Sequence, residues 1–257
     1  MRNLSVLFVL TTAALLPWQT ADAATTRWVG DCGHVASYAT IQAAIAAATA
    51  GDTINVCPGV YTENVTIDKV GLTVVSTGGA AVTRIVAPSA PVLPVVTITQ
   101  PYVTLVGFTV APVNSDIGVH VAIAGNASAE IAHNVVRFGR IGVNLGCSSY
   151  GSTVYHNVVN GATDSGINID TCEGSAPLAG STFNDVHHNT VCGGTVTGSI
   201  ALDEGSDFND VHHNIVTWIK VVGDGSLVHH NTARVFNILP GNPANVAFSN
   251  TTALVCQ

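Results

Sequence analysis

The chain has 257 residues, of which 9% are charged and 47% apolar, with 25 glycines and a formal net charge of −8. An acidic chain so poor in Lys and Arg lacks the phosphate-contacting groups that dominate nucleic-acid binding, so nucleic acid is not an expected partner. Long-range attraction of polyanions is disfavoured as well, unless a local basic patch or a bridging cation supplies it.

Residues 1–23 read as a secretory signal peptide: Met1-Arg2 opens it, an apolar run follows from Leu4 to Leu16, and Ala21-Asp22-Ala23 is a small-x-small cleavage site. That run is short for a membrane span and no later stretch is long enough, so no span is expected. Cleavage after Ala23 leaves residues 24–257 as one elongated domain, secreted or periplasmic. Six cysteines form an even set in an exported chain, which makes disulfides the expectation. Cys32 with Cys57 is the expected first pair, because both lie near the start of the fold; the connectivity of the remaining four stays open. No CxxC occurs, so a zinc or redox motif is unsupported. Nothing in the sequence sets the oligomeric state.

Residues 24–38 carry no periodic pattern. Thr40 to Ala48 then place Ile41, Ala44, Ile45 and Ala48 on one helical face, and Gly51-Asp52 supplies the stop, so a helical cap is expected over about 38–50. Short alternating segments follow at Thr53–Val56, Val65–Ile67, Leu72–Val75, Val95–Ile98 and Val103–Val106. Each is bounded by Gly, Pro, Asn or Asp and reads as a strand.

The second half repeats itself. STFNDVHHN at 181–189 returns as SDFNDVHHN at 206–214, and shorter echoes end at Asn134, Asn157, Asn231 and Asn250. The spacings of these asparagines are 23, 32, 25, 17 and 19, a near-regular period with insertions that marks a solenoid. With strands and no helix in each repeat, the expected fold is all-β: a single-stranded parallel β-helix with three short strands per coil, coils about 4.8 Å apart, and a short N-terminal α-helix covering the open end.

Tyr38-Ala-Thr-Ile-Gln-Ala-Ala-Ile, Ala50-Gly-Asp-Thr-Ile-Asn-Val and Pro58-Gly-Val-Tyr-Thr-Glu-Asn-Val resemble the opening of the pectate-lyase-like, right-handed β-helix superfamily. Pectin methylesterases and periplasmic copper-associated β-helix proteins begin similarly, and the HNxV echoes resemble the generic coil. The resemblance spans nearly all of residues 24–257 and implies a right-handed parallel β-helix directed at polysaccharide. Members cleave, split, epimerise or bind acidic polysaccharides and others have no known activity, so the alternative to a polysaccharide-directed enzyme is a non-catalytic binding or structural β-helix whose partner is glycan, metal or protein. The catalytic signatures of the pectin methylesterases (a Gln-Asp pair and Asp-Phe-Ile-Phe-Gly) are absent, as is the Asp-Pro-His-Asp of alginate epimerases. Of the polygalacturonase motifs, Trp218-Ile219-Lys220 alone approaches Arg-Ile-Lys. No enzyme subclass is therefore carried over.

Two sets of side chains invite chemistry. In the echoes, each Asn is expected at a left-handed bend within an internal ladder, preceded by a histidine column. One position earlier stand Ala132, Tyr155, His187, His212 and His229. His187, His212 and His229 are the candidate exposed ligands for copper or zinc, if their rings converge rather than stack. The alternative is a structural ladder whose stability is acid-sensitive.

The second set lies on a strand of the following face. Inward pairs such as Val119/Val121, Val143/Leu145, Ile167/Ile169 and Ile200/Leu202 leave His120, Asn144, Asn168, Ala201 and Lys220 pointing outward. Gly118, Gly142, Gly166, Ser199 and Trp218 form one flanking row, expected as a shallow floor; Asp170 and Asp203 fall in the other, with Glu204 adjoining. Stacked carboxylates either share a proton or bridge a cation, and Asp170, Asp203 and Glu204 suit Ca2+, the cofactor a lyase would need, with Lys220 as base. As a hydrolase pair, Asp170 and Asp203 would act as acid and opposing carboxylate. His120, Asn144, Asn168, Glu204 and Trp218 are the expected sugar-binding groups, Trp218 by ring stacking, with Arg137 and Arg140 beside Phe138 as a basic patch for a substrate carboxylate. The competing reading is that Asp170 and Asp203 only accept hydrogen bonds in the turns that follow them. A one-residue slip after the short 17-residue coil would turn Lys220 inward.

Overall fold

The computed structural model describes residues 23–34, 37–112, 116–123, 128–146, 149–171, 180–194, 196–241 and 243–256. The signal-peptide reading, apart from Ala23, falls outside these residues, as do Cys147 and Cys172.

The described residues form parallel sheets wound into a β-helix. One 11-stranded sheet makes the first face, including Ala129–Ala132, Thr153–Tyr155, Asp185–His187, Asp210–His212 and Leu227–His229. A 15-stranded sheet makes the other two. The second face includes Val135–Arg137, Val158–Asn160 and Thr190–Cys192, and the third Ile117–Val121, Ile141–Leu145, Ser165–Ile169 and Gly198–Leu202. Strand Ile215–Val221 joins them, pairing Val216 near its start with Val191 and Ile219 near its end with Ile200. It passes the corner without the turn that separates Cys192 from Gly198, which is why this coil needs only 17 residues. No slip results: Ala201 is opposite Lys220, and the column His120, Asn144, Asn168, Ala201, Lys220, Asn237 is continuous.

Inside, Val119, Val143, Ile167, Ile200 and Ile219 stack with no exposed surface. Each strand alternates, and only the stacking of several coils closes this column from water. The helix at Ile41–Ala47 covers the first coil with Ile41, Ala44 and Ile45 buried. Thr40 caps it through Oγ1, accepting from Ala43 N at 3.1 Å, and Glu63 reaches back from the next coil to accept from Ile41 N and Gln42 N, both at 2.9 Å. Residues 24–38, expected to be irregular, instead contribute strand Thr26–Val29, which pairs in parallel with Thr53–Val56. Pairing to the first coil overrides the missing pattern. The buried Asp52 clasps this end: its carboxylate accepts from the backbone N and hydroxyl of both Thr25 and Thr49, and it pairs with Arg27.

Two disulfides pin the described ends of the coil. Cys32–Cys57, the expected pair, has Cα atoms 5.8 Å apart, and Cys192–Cys256 ties the C-terminal segment to the second face at 5.3 Å. No helix among the described residues is long and apolar enough to cross a membrane.

The asparagine ladder is present, but the asparagines do not take the left-handed bend. His133, His156, His188, His213 and His230 do, at φ between 53° and 55°. Each Asn points inward instead. Asn189 Oδ1 accepts from Asn157 N at 3.0 Å and Asn157 Nδ2 at 3.1 Å, while its Nδ2 donates to Val154 O at 2.8 Å. Buried amides demand partners, and this geometry satisfies three backbone or side-chain groups with one residue. A second ladder, unforeseen from sequence, runs through Asn184, Asn209 and Asn245, with Ser226 bridging the last two.

Candidate functional site

The third face and the turns at its two ends build a cleft of about 730 Å³, lined by Arg140, Asp164, Asn168, Asp170, Asp203 and Glu204 together with Ile141, Ser165, Thr171 and Thr197. Asp170 and Asp203 leave equivalent ends of successive strands, Asp170 N donating to Leu145 O at 2.9 Å and Asp203 N to Ile169 O at 3.1 Å. They therefore occupy one column in adjacent coils.

Hydrogen bonds link this column to the central row. Asn168 Nδ2 donates to Asn144 Oδ1 at 3.1 Å, and Asn144 Nδ2 lies 3.2 Å from His120 Nδ1 and 3.3 Å from Asp170 Oδ2. Asn144 and Asn168 are 2% and 6% exposed, so they are a buried relay rather than the open sugar-contact row expected. Only Asn168 reaches the cleft wall. Burial holds His120 below the ordinary imidazole range, against the pull of Asp170. Burial first, and then the negative charge of Asp170, push the Asp203 carboxyl up; a hydrogen bond from Asn168 and the charge of Lys220 oppose this. Asp170 meets a different environment, its Oδ1 accepting from Thr171 N at 2.9 Å.

Arg140 joins the cleft but its charge is engaged: Nη1 is 2.9 Å from Asp164 Oδ2 and Nε 3.3 Å from Asp116 Oδ2. Asp164 also accepts from Thr197 Oγ1 at 2.9 Å. Asp164 and Thr197 were not foreseen, because they come from turns between faces, where no period marks them; nor was Ser165, which opens the strand Ser165–Ile169. Their one sequence signal is position, at the start of a third-face strand or immediately before it.

Several expected members stand elsewhere. Lys220 projects outward as its register requires, yet it is not among the cleft-lining residues. Trp218 is in a separate cavity with Gly193, Gly194, Arg234, Val235 and Cys256, because the uninterrupted strand Ile215–Val221 carries it round the corner. It therefore cannot stack on a sugar held between Asp170 and Asp203. Its buried Nε1 has no hydrogen-bond partner among the described residues. Arg137 is separated from Arg140 and lines a cavity with Arg84 and Thr109. The glycine floor is also corrected: a Cβ at Gly118, Gly142 or Gly166 would collide with Cγ1 of the core residues Val136, Val159 or Val191. These glycines face inward, where the corner between faces brings two strands too close for a side chain.

On the first face, His187, His212 and His229 stack with Tyr155 above and Phe248 below, at centroid distances of 4.9–5.2 Å and interplanar angles of 13° or less. Near-parallel rings do not converge on one ion, so metal held between coils of this column is not what the geometry offers. The expected exposure is reversed too. These three side chains are 20%, 19% and 15% exposed, and the corner residues His188, His213 and His230 are the open ones. Among the described residues, no three or more His, Cys, Asp or Glu side chains form a group able to hold a metal. Asp170, Asp203 and Glu204 thus lack a ready calcium cage.

Such stacked parallel strands with side-chain ladders define a parallel β-helix of pectate-lyase-like architecture. An alginate lyase from Paenibacillus sp. str. FPU-7 superposes with a TM-score of 0.66 at 14% identity, over 89% of this chain and 95% of that one. Pectin methylesterase PemA from Erwinia chrysanthemi gives 0.52 at 12% identity over 92% and 91%, and Escherichia coli YbhC 0.52 at 10% over 88% and 75%. At these identities the likeness establishes the fold alone. No protein-family model and no curated protein matches the sequence.

Proposed function

We propose that this is an exported β-helix protein that holds a polysaccharide in the third-face cleft and cleaves a glycosidic bond there, with Asp203 as the acid and Asp170 as the opposing carboxylate. The observation that carries this reading is the unequal pair. Asp203 is pushed up by burial and by Asp170, whereas Asp170 accepts from Thr171 N at Oδ1 and from Asn144 Nδ2 at Oδ2. Two carboxyls with divergent environments are the means by which one site holds both a proton and a charge. Adjacent coils put them on the order of 5 Å apart, the range of a retaining pair. Asn168 and Thr171 supply polar wall for sugar hydroxyls.

The other chemistries expected of the fold have less support. Lyase or epimerase action with Lys220 as base requires that amine in the cleft, which its lining does not include. An acidic glycan would need a divalent cation such as Ca2+, bridging its carboxylate to Asp170 and Asp203 and taking the missing ligands from substrate and water. The disulfides and the alginate- and pectin-directed names of the structural neighbours support an exported, glycan-facing role.

A second reading, a non-catalytic glycan-binding β-helix, is favoured by one observation: Asp170 and Asp203 both take hydrogen bonds from within the protein, as turn-stabilising residues do. A panel of neutral and acidic polysaccharides, with and without Ca2+, separates the two. New reducing ends abolished by Asp203→Asn support hydrolysis. Unsaturated-uronide absorbance supports a lyase instead. Binding without either product leaves the non-catalytic reading, and no binding across the panel removes both.

A further inference from the structure

The two histidine columns meet within each coil, and there the geometry differs from that between coils. His212 Nδ1 lies 2.8 Å from His213 Nδ1, and His229 Nδ1 lies 2.8 Å from His230 Nδ1; His187 and His188 repeat the contact at 2.9 Å. The paired rings are nearly perpendicular, at 84° in the first two pairs. Behind two of them stands a carboxylate. His212 Nε2 is 3.0 Å from Asp185 Oδ1 and His229 Nε2 is 3.1 Å from Asp210 Oδ1. Both oxygens are shut from solvent and have no hydrogen-bond partner among the described residues, so each meets its imidazole as a close charge contact rather than as an aligned hydrogen bond.

The negative charge beside Nε2 favours the tautomer with its proton there, which leaves the Nδ1 lone pair of His212 and His229 to face the second ring. Without an ion, the exposed ring donates its Nδ1–H into that lone pair and the pair is held preformed. Two imidazole nitrogens bound about 2.0–2.1 Å from one ion and at right angles are about 2.8–3.0 Å apart. Tetrahedral ligands at the same bond length are about 3.3–3.4 Å apart. The observed pairs match the right-angled edge, and a carboxylate on the distal nitrogen is the usual support of a metal-bound histidine.

We propose that His212/His213 and His229/His230 are each a two-nitrogen chelate for a first-row transition-metal dication, open to water at its remaining positions. The right-angled edge suits the square or octahedral preferences of Cu2+ and Ni2+ better than the tetrahedral preference of Zn2+. Binding displaces the Nδ1 proton of His213 or His230 to the buffer. Adjacent sites are about one coil apart, so like-charge repulsion weakens a second ion relative to the first. This surface is on the first face and is independent of the third-face cleft.

The test is calorimetric titration of the protein, free of any histidine tag, with Cu2+, Ni2+ and Zn2+, joined to electron paramagnetic resonance of the Cu2+ form. Saturable binding with coupling to two nitrogens, proton release and tighter Ni2+ than Zn2+ binding are expected. Asn tolerates the left-handed bend, so His213→Asn with His230→Asn keeps the fold; circular dichroism checks this, and His156→Asn serves as the control. The double variant is expected to lose the tight binding, with the His187/His188 pair, in which His187 Nε2 is 4.0 Å from Asp185 Oδ2, as the remaining and weaker source of nitrogen coupling, and Asp185→Asn with Asp210→Asn to weaken binding at least about tenfold. Absent binding by the unaltered protein, or binding unchanged in a folded double variant, overturns the proposal. Zn2+ binding tighter than Ni2+ overturns the right-angled geometry.

Discussion

Asp203 stands one coil beyond Asp170 in a single column, on the rim of a cleft that also holds Asp164 and Glu204. Burial and the neighbouring charge raise the pKa of Asp203. The unfolded chain releases this proton first, so stability falls as pH rises from the ordinary carboxyl range through the raised folded value. Asp203→Asn is expected to raise the thermal midpoint at neutral pH, with the gain vanishing below about pH 4. Melting curves of both proteins at several pH values check this. An equal offset at every pH would mean that Asp203 carries no such penalty.

Asp52 behaves oppositely. Burial works against its charge, but donors from Thr25 and Thr49 outweigh it and hold the carboxyl well below the usual range. Its contribution is present above about pH 4 and is lost as pH falls towards the lowered folded value. Asp52→Ala, which leaves the Thr25 and Thr49 amides unpartnered, is expected to cost about 2–3 kcal/mol at pH 7 in denaturant unfolding. Acid titration of the variant should show a shallower loss of stability than the parent.

The inward asparagines and the left-handed histidines predict opposite responses at neighbouring positions. Asn189→Ala strands the backbone N–H of Asn157 and removes the amide bond to Val154 O, while Asn157 Nδ2 keeps Ile131 O and Tyr155 O; it is expected to cost about 2–3 kcal/mol. His213→Gly suits φ 54° and is expected to cost little, whereas His213→Val forces a branched side chain into that bend and costs at least about 1 kcal/mol. Equal losses for Gly and Val would contradict the backbone account.

Cys192–Cys256 closes a long loop, with a sequence separation of 64. On the chain-entropy model its removal by Cys256→Ser is expected to cost about 4 kcal/mol, read as a lower denaturation midpoint under non-reducing conditions. An unchanged midpoint would show that the C-terminal segment adds nothing to the fold.

Much of the architecture was legible because strand period and ladder spacing are both strict. The alternation Val119-His120-Val121 and its equivalents fixed the outward column as far as Lys220, even across the 17-residue coil. The bend was not legible, since both His and Asn tolerate it; the deciding requirement is the amide's need for inward partners. Gly118 and its column were misplaced because alternation fails at a corner, where residue direction depends on the neighbouring face. Trp218 was misplaced for the same reason. Asp164 and Thr197 carried no periodic signal, so half of the cleft wall emerged only in three dimensions.

A sugar chain lying in the third-face cleft is detected most directly by amide chemical-shift mapping with oligosaccharides from the polysaccharide panel. Perturbations are expected to concentrate at Asn168, Thr171, Thr197 and Glu204, and to be lost when Asp164 and Asp203 are replaced by bulky Leu in a folded variant. Shifts confined to the Trp218 cavity, or none at saturating ligand, would contradict binding in the cleft.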